Sequence, residues 1–308
     1  MNFDLIIVGG GPAAIAAGVY SARKNLKTLV IADQFGGQSS VSPEVQNWIG
    51  TKSIDGLVLA EQLKDHLFSY RSDTFIIKEK ERVQTVIKDE SGFKVSTETG
   101  QIYQGQAVLI TAGGRRRKLT VPGADKFEHK GITYCASCDG PFFAGRDLVV
   151  IGGGNAGFGS ASQLLAYAKS VTLLQHSSEF KAEAITISAL LKDPKFKALT
   201  SAEVLEIKGT DYAETIVYQD KVTGEIKEIP AEGIFVEIGF LPNTEMVKGL
   251  VDLNQFNSII VDPKTQMASL PGVWAAGDCS DGLYHQNNIA VGDAIKAVEN
   301  IYQYLKTT

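Results

Sequence analysis

The stretch FDLIIVGGGPAAIAAGVYSARKN, Phe3 to Asn25, decides the fold. It opens with an unbroken apolar run, Leu5 to Val8, and turns on three successive glycines. An alanine-rich segment follows, whose pattern predicts a helix ending near Asn25. KTLVIAD, Lys27 to Asp33, then reads as a second strand. Strand, glycine turn, helix and strand make a βαβ unit. Gly9-x-Gly11-x-x-Ala14 at the turn, with Asp33 closing the second strand, is a dinucleotide-binding fingerprint with its acid in place. Each position has a mechanical purpose. The first glycine permits the tight turn and the second lets the backbone approach a pyrophosphate. The third position packs helix against strand, and the helix start turns its unpaired N–H groups to the phosphates.

The arrangement recurs further along. DLVVIGGGNAG carries Gly152-x-Gly154-x-x-Gly157, followed by a helical SASQLLAYAKS and the strand VTLLQH. Two such units in one chain make a chance match untenable. Between and after them lie FIIKEKERVQTVIKDESGFKVSTETGQIYQGQAVLITAGG, read as a meander, and the apolar strand of EGIFVEIGFLPNT, stopped by Gly239 and Pro242. GVWAAGDCS is a further buried strand, and NNIAVGDAIKAVENIYQYLK a closing amphipathic helix. The fold class is therefore α/β, with two Rossmann-like domains and the second inserted into the first. Residues 1–113 and 247–308 form one domain and 114–246 the other.

At 308 residues, 44% hydrophobic and 21% charged, the chain has the composition of a globular protein with more than one core. A formal net charge of −5 argues against a nucleic-acid surface. No run is long enough to span a membrane, and the first apolar run follows Asp4 without a basic leader, so the expectation is a cytoplasmic protein. One basic cluster, Arg115 to Lys118, reads as a solvated face or linker.

TYCASCDGPFF, Thr133 to Phe143, holds two of the three cysteines as Cys135-x-x-Cys138. In a reducing compartment such a pair is catalytic or metal-binding. Zinc needs a second pair of ligands, and the histidines at 66, 129, 176 and 285 form no such pattern, so no metal is expected and redox chemistry is the better reading. Cys279 reads as a small buried side chain. Asp278, after a strand and Gly277, stands where it reaches a ribityl or phosphate group or caps a helix.

In order along the chain, GGGPAAIAA, GGQSS, NWIG, TAGGR, YCASCDGPFF, GGGNAG, EIGFLPNT and AAGDC resemble the low-molecular-weight thioredoxin reductases from end to end. The chain is similar too to the flavoprotein module of alkyl hydroperoxide reductase. The resemblance implies FAD lined by Gly9, Gly11, Ala14, Asp33, Gln38, Asn47, Gly277, Asp278 and Gln286. It implies that Cys138 faces the flavin, that Cys135 attacks a thioredoxin-like protein and that Asp139 handles the proton. It also implies a homodimer, and a second domain that rotates on hinges near Gly113–Gly114 and Gly239 to Asn243.

The second nucleotide site departs from that pattern. NADPH-dependent members carry His-Arg-Arg after the second strand and a later arginine, where this chain has Gln175, His176, Ser177 and Lys181. Each lost charge-assisted bond is worth about 1.5 to 3 kcal/mol, roughly ten- to a hundredfold in affinity. Gln175 is also neutral where an acid normally holds the ribose of NADH. Gly159 replaces the family's usual helix glutamate, at about 1 kcal/mol against alanine. The site around Gly152, Gly154, Gly157, Gln175, His176 and Lys181 thus reads as weak or NADH-preferring, as completed by Arg115 to Lys118, or as no longer fed by NADH or NADPH. The leading expectation is an FAD-dependent protein-disulfide reductase. The alternatives are a member fed by reduced ferredoxin or another flavin, a flavin-dependent dithiol oxidase and a non-catalytic flavin redox sensor.

Overall fold

The computed structural model describes residues 2–42 and 44–307, with the side chains of Ser39 and Val41 outside the description. Part of the GGQSS motif, the Ser39 side chain, therefore lies outside the described residues. The chain divides into two compact units, Met1–Arg115 with Leu241–Thr308, and Arg116–Phe240. The return crossing comes earlier than the sequence boundary at 246, because the turn at Glu245–Val247 packs with the first unit.

In the first unit β1 (Asn2–Val8), α1 (Pro12–Arg23) and β2 (Thr28–Ile31) form the βαβ start. Pro12 fits the first helical position, whose N–H is an orphan in any helix. Asn25 stops the helix in the left-handed conformation at φ 55°. α2 (Gly56–Phe68) is capped by Asp55, whose carboxylate accepts from the amides of Leu57 and Val58 at 2.9 and 3.1 Å. β3 (Phe75–Lys78) follows, then β4 (Val83–Asp89), β5 (Gly92–Thr97) and β6 (Ile102–Ile110). The sequence placed β3 in the meander. It pairs instead in parallel with β2 at the sheet edge, and only β4, β5 and β6 run antiparallel. The reason is α2, which supplies the crossover a parallel partner needs.

A short strand β7 (Gly114–Arg116) leads into the second unit. There the chain runs α3 (Ala124–Phe127), β8 (Ile132–Thr133), α4 (Ala136–Asp139), β9 (Asp147–Ile151), α5 (Asn155–Leu164), β10 (Ser170–Leu174), α6 (Ala184–Leu190) and β11 (Phe196–Leu199). An antiparallel layer of β12 (Ala202–Gly209), β13 (Ala213–Asp220) and β14 (Ile226–Pro230) precedes β15 (Gly233–Val236). β16 (Phe240–Pro242) pairs with β7, and β17 (Val273–Ala275) and α7 (Asn287–Thr307) complete the first unit.

The first sheet has the order β3-β2-β1-β6-β5-β4, with β17 on β6, and the second is parallel in the order β11-β10-β9-β15-β8. Both faces of β1 are covered, so Leu5, Ile6 and Ile7 are fully buried, and an unbroken apolar run is the result. One face packs α1 against α7 through Ala13, Ala14, Ala17, Ala290, Ala294 and Ala297. Small side chains let these helices approach closely. Trp274 closes that core, its ring edge-on to Tyr304 and its indole N–H donating to Asn300 Oδ1 at 3.0 Å. Each large side chain buried there contributes about 1.5 to 3 kcal/mol. Among the described residues no helix is long and apolar enough to cross a membrane.

Candidate functional site

In the first unit the glycine turn behaves as the fingerprint requires. Gly9 has φ +135°, and a Cβ there would stand 2.3 Å from the carbonyl oxygen of Thr111. Thr111 forms the floor of the turn, its hydroxyl donating to the Val8 carbonyl at 2.9 Å. Gly11 differs, since a Cβ on it would meet only Gly37 Cα at 3.7 Å. The first glycine is therefore required by the fold. The second leaves open space over the start of α1, where nothing in the protein calls for glycine and a phosphate group does. Ala14 is fully buried in the helix–sheet contact.

Of the remaining residues, Gly277 adjoins that helix start. Gly277, at φ +75°, sits so close to Ala290 and Ala13 that a Cβ would lie 3.1 and 3.4 Å from their methyl groups, which brings Asp278 to the first turn of α1. Asp278 lies in a turn and caps no helix, because α7 begins at Asn287. Gln38 donates to the Gly114 carbonyl. Asn47 donates to Gln286 Oε1 at 2.9 Å across 239 residues of sequence, and Asn288 ties the same loop by donating to the Asn47 carbonyl at 2.7 Å. Asp33 is exposed after β2, with no hydrogen bond or ion pair on its carboxylate among the described residues. His285, which sequence reasoning did not single out, places Nδ1 3.5 Å from Asp278 Oδ1. Cys279 is buried, donates to the carbonyls of Ile110 and Ala276 at 3.3 and 3.5 Å, and burial pushes its thiol up to about 12. It is an inert thiol.

In the second unit Gly152 has φ +120°, and a Cβ would lie 2.3 Å from the Glu237 carbonyl oxygen. A Cβ on Gly157 would meet the Gly152 carbonyl at 1.8 Å, whereas one on Gly154 meets nothing within 4 Å. The open second glycine is repeated. The loop after β10 is less expected. Gln175 is buried, its Oε1 accepts from the Gly153 amide at 2.9 Å, and its Nε2 donates to the Ser177 hydroxyl and to the Glu179 carbonyl. Both ends of this carboxamide hold the loop against the glycine turn, and neither faces outward to a ribose. Lys181 joins the same brace through its backbone amide, which donates to the Gly153 carbonyl at 2.8 Å. The exposed His176 has its Nε2 3.5 Å from Lys221 Nζ.

Most of the Arg115 to Lys118 cluster is engaged locally. Arg115 binds Asn243 and Glu245, Arg116 binds Glu237, and Lys118 lies 3.2 Å from Glu128. Arg117 alone has no acidic partner among the described residues.

Cys135 and Cys138 are joined as a disulfide at the start of α4, half-buried, with Ser137 exposed between them. Cys135 is the N-cap, its sulfur accepting from the Cys138 amide at 3.2 Å. Asp139 follows in the same turn. Burial pushes its carboxyl above the usual range, while a hydrogen bond from the Thr133 hydroxyl and the nearby His129 pull it back. The acid beside the sulfurs therefore holds its proton more tightly than a surface aspartate does. Thr133, on β8 just ahead of the pair, is a further residue that sequence reasoning missed. Its position two residues before the first cysteine was the available signal. Among the described residues no cluster of histidine, cysteine and carboxylate forms a metal site.

Residues 3–294 match the family model described as pyridine nucleotide-disulphide oxidoreductase. The chain belongs to that family. Members use FAD with NADH or NADPH, and the open glycines of both units suit those dinucleotides. A NADH dehydrogenase of Bacillus subtilis is 38% identical over 303 residues, covering 98% of this chain but 58% of its own length. An alkyl hydroperoxide reductase component of Pseudomonas aeruginosa is 38% identical over 307 residues, 99% of this chain and 59% of its own length. The chain thus spans a little under three fifths of these curated relatives. Among solved structures it resembles a thioredoxin reductase of Streptococcus pyogenes at TM-score 0.92 and 31% identity, covering 100% of this chain and 99% of that one. A thioredoxin reductase of Giardia duodenalis matches at TM-score 0.93 and 27% identity, with 99% of each chain covered. This family member is similar to the thioredoxin reductases over its whole length.

Proposed function

We propose that the chain takes two electrons from NADH and delivers them, through the Cys135–Cys138 disulfide, to the disulfide of a thioredoxin-like protein. The observation that carries this reading is the half-buried disulfide with a half-buried, hydrogen-bonded acid in the same turn of chain. FAD, bound over Gly9 and Gly11 and held by Asp33, Asn47, Asp278 and Gln286, supplies two-electron transfer between the nucleotide and the sulfurs. Reduction adds two electrons and two protons to the S–S bond, the hydride coming from NADH and the second proton from solvent. The Cys135 thiolate then attacks the partner disulfide, and Cys138 displaces it from the mixed disulfide, restoring the S–S bond as the partner leaves as a dithiol. Asp139 gives a proton to the leaving sulfur and regains one from the Cys138 thiol as it ionises to attack.

NADH is favoured over NADPH because no arginine fork stands at the end of β10 to receive a 2'-phosphate, and Lys181 and His176 are poorer substitutes. The relatives named NADH dehydrogenase point the same way. The experiment is anaerobic stopped-flow bleaching of the FAD-loaded protein. NADPH should bleach it at no lower a concentration than NADH, because the missing arginines withhold the roughly ten- to a hundredfold that a charge-assisted hydrogen bond to its 2'-phosphate is worth. Reduced ferredoxin acting where both nucleotides fail would replace NADH as the donor.

The open face of Gly154 gives a second expected outcome. Gly154→Ala places its methyl where no protein atom lies within 4 Å, on a backbone at φ −92° that any residue adopts. Thermal stability should be unchanged or slightly raised, while NADH affinity falls at least about tenfold as the pyrophosphate is pushed off the turn. Titration of NADH alongside a melting curve checks both halves. Gly152→Ala should do the opposite and damage the fold, since its Cβ meets the Glu237 carbonyl.

A further inference from the structure

The second unit contains a buried carboxylate to which the preceding mechanism gives no task. Glu237 follows β15 directly, after Ile234, Phe235 and Val236, and its side chain is 5% exposed. Ser160 on α5 donates to its Oε1 at 2.6 Å, and Arg116 Nη1 stands 3.0 Å from its Oε2. Burial raises its carboxyl above the usual range, against the pull of Ser160 and Arg116. A buried ion pair of this kind is weak support for stability, because removing both charges in favour of apolar packing is often neutral or better. Its place in the fold offers another reason for it.

In the order β11-β10-β9-β15-β8 the chain leaves β9 through α5 to β10 on one side, and β15 lies on the other. That reversal is the switch point where open α/β sheets bind ligands, outside the carboxyl ends of the strands. With its pyrophosphate on the Gly152–Gly154 turn, a dinucleotide extends its adenosine half towards the end of β10 and its nicotinamide half towards the end of β15. Gln175 stands at the first position and Glu237 at the second. Contact between the Gly152 turn and the Glu237 backbone fixes the carboxylate beside the crevice. Gly159, where the family's usual helix glutamate is missing, is the immediate neighbour of the Ser160 that holds Glu237, and a Cβ on it would meet nothing within 4 Å. The helix lacks its acid at this point, and the adjacent strand brings one in. An ionised carboxylate has about four acceptor positions, and Ser160 and Arg116 occupy two.

We propose that Glu237, positioned by Ser160 and Arg116, accepts hydrogen bonds from the nicotinamide riboside half of the bound nucleotide, through its carboxamide N–H or ribose hydroxyl groups. This rests on the nucleotide-donor reading above and assigns the residue that recognises the reactive half. The test is titration of the FAD-loaded protein with NADH and with ADP, which shares the pyrophosphate and adenosine but has no nicotinamide riboside. In Glu237→Ala the NADH dissociation constant should rise about tenfold or more, with ADP changed less than about twofold. Equal losses for NADH and ADP would mean that Glu237 only supports the fold, and no loss for either would mean that it touches nothing; both overturn the proposal. Should the alanine variant not fold, Arg116→Leu with Glu237→Leu removes both charges together, leaves neither buried alone, and is read in the same way. Wild-type protein that binds neither ligand overturns the donor reading itself, which separates that failure from a failure of Glu237 alone.

Discussion

Cys135→Ser should yield a yellow, folded protein that binds FAD and NADH normally and reduces no disulfide. The fold survives for a local reason. Cys135 Sγ caps α4 by accepting the Cys138 amide at 3.2 Å, and a serine hydroxyl is a better acceptor at that position than sulfur. The chemistry is lost because a hydroxyl is not ionised near neutral pH and forms no mixed disulfide, so dithiol output should fall to the rate of uncatalysed exchange. Measured turnover of a thioredoxin-like substrate, with flavin content and bleaching by NADH as controls, checks each part. Cys279→Ser is the matching control. That thiol is buried and held near 12, so turnover should be unaffected. Undiminished disulfide reduction by the Cys135 variant would remove the sulfurs from the mechanism.

Much of this arrangement is legible in the sequence because glycine requirements are backbone requirements. Gly9 and Gly152 are needed by left-handed turns closing on the carbonyls of Thr111 and Glu237, and such constraints appear directly as residue type. The apolar runs before them mark strands buried on both faces. What the sequence conceals are choices between partners. Phe75–Lys78 has the composition of a meander strand, and only α2 ahead of it decides that it pairs in parallel with β2. Gln175 follows β10 where the resemblance implies a ligand position, yet its carboxamide finds two partners in its own loop and a third in the glycine turn, and it turns inward. Glu237 was the available clue in the other direction. An acid directly after an apolar strand, beside a helix that lacks its own, asks for a partner, and Arg116 lies 121 residues away, beyond the reach of any local pattern.

Asp139→Asn should lower disulfide reduction by about 10² to 10⁴, the usual worth of a positioned proton donor, while making the protein more stable at neutral pH. The two effects share one cause. Burial raises the Asp139 carboxyl pKa in the folded protein, and Thr133 and His129 offset only part of that rise. A carboxyl that is harder to ionise when folded contributes stability below the ordinary carboxyl range, near pH 4, and loses that contribution as pH rises through its raised native value. At neutral pH, above the ordinary carboxyl range, burial of this carboxyl therefore costs the wild type stability that the asparagine variant keeps. An amide oxygen still accepts from Thr133, so the local geometry holds. Melting curves across pH should show the variant more stable near neutrality and the difference closing towards pH 3. A variant less stable at pH 7 would mean that the carboxylate is well solvated. Its lost activity would then report damage to the turn and not the missing proton. Activity lost while stability rises is the signature of a strained acid retained for its chemistry, because a residue kept for the fold moves both quantities in the same direction.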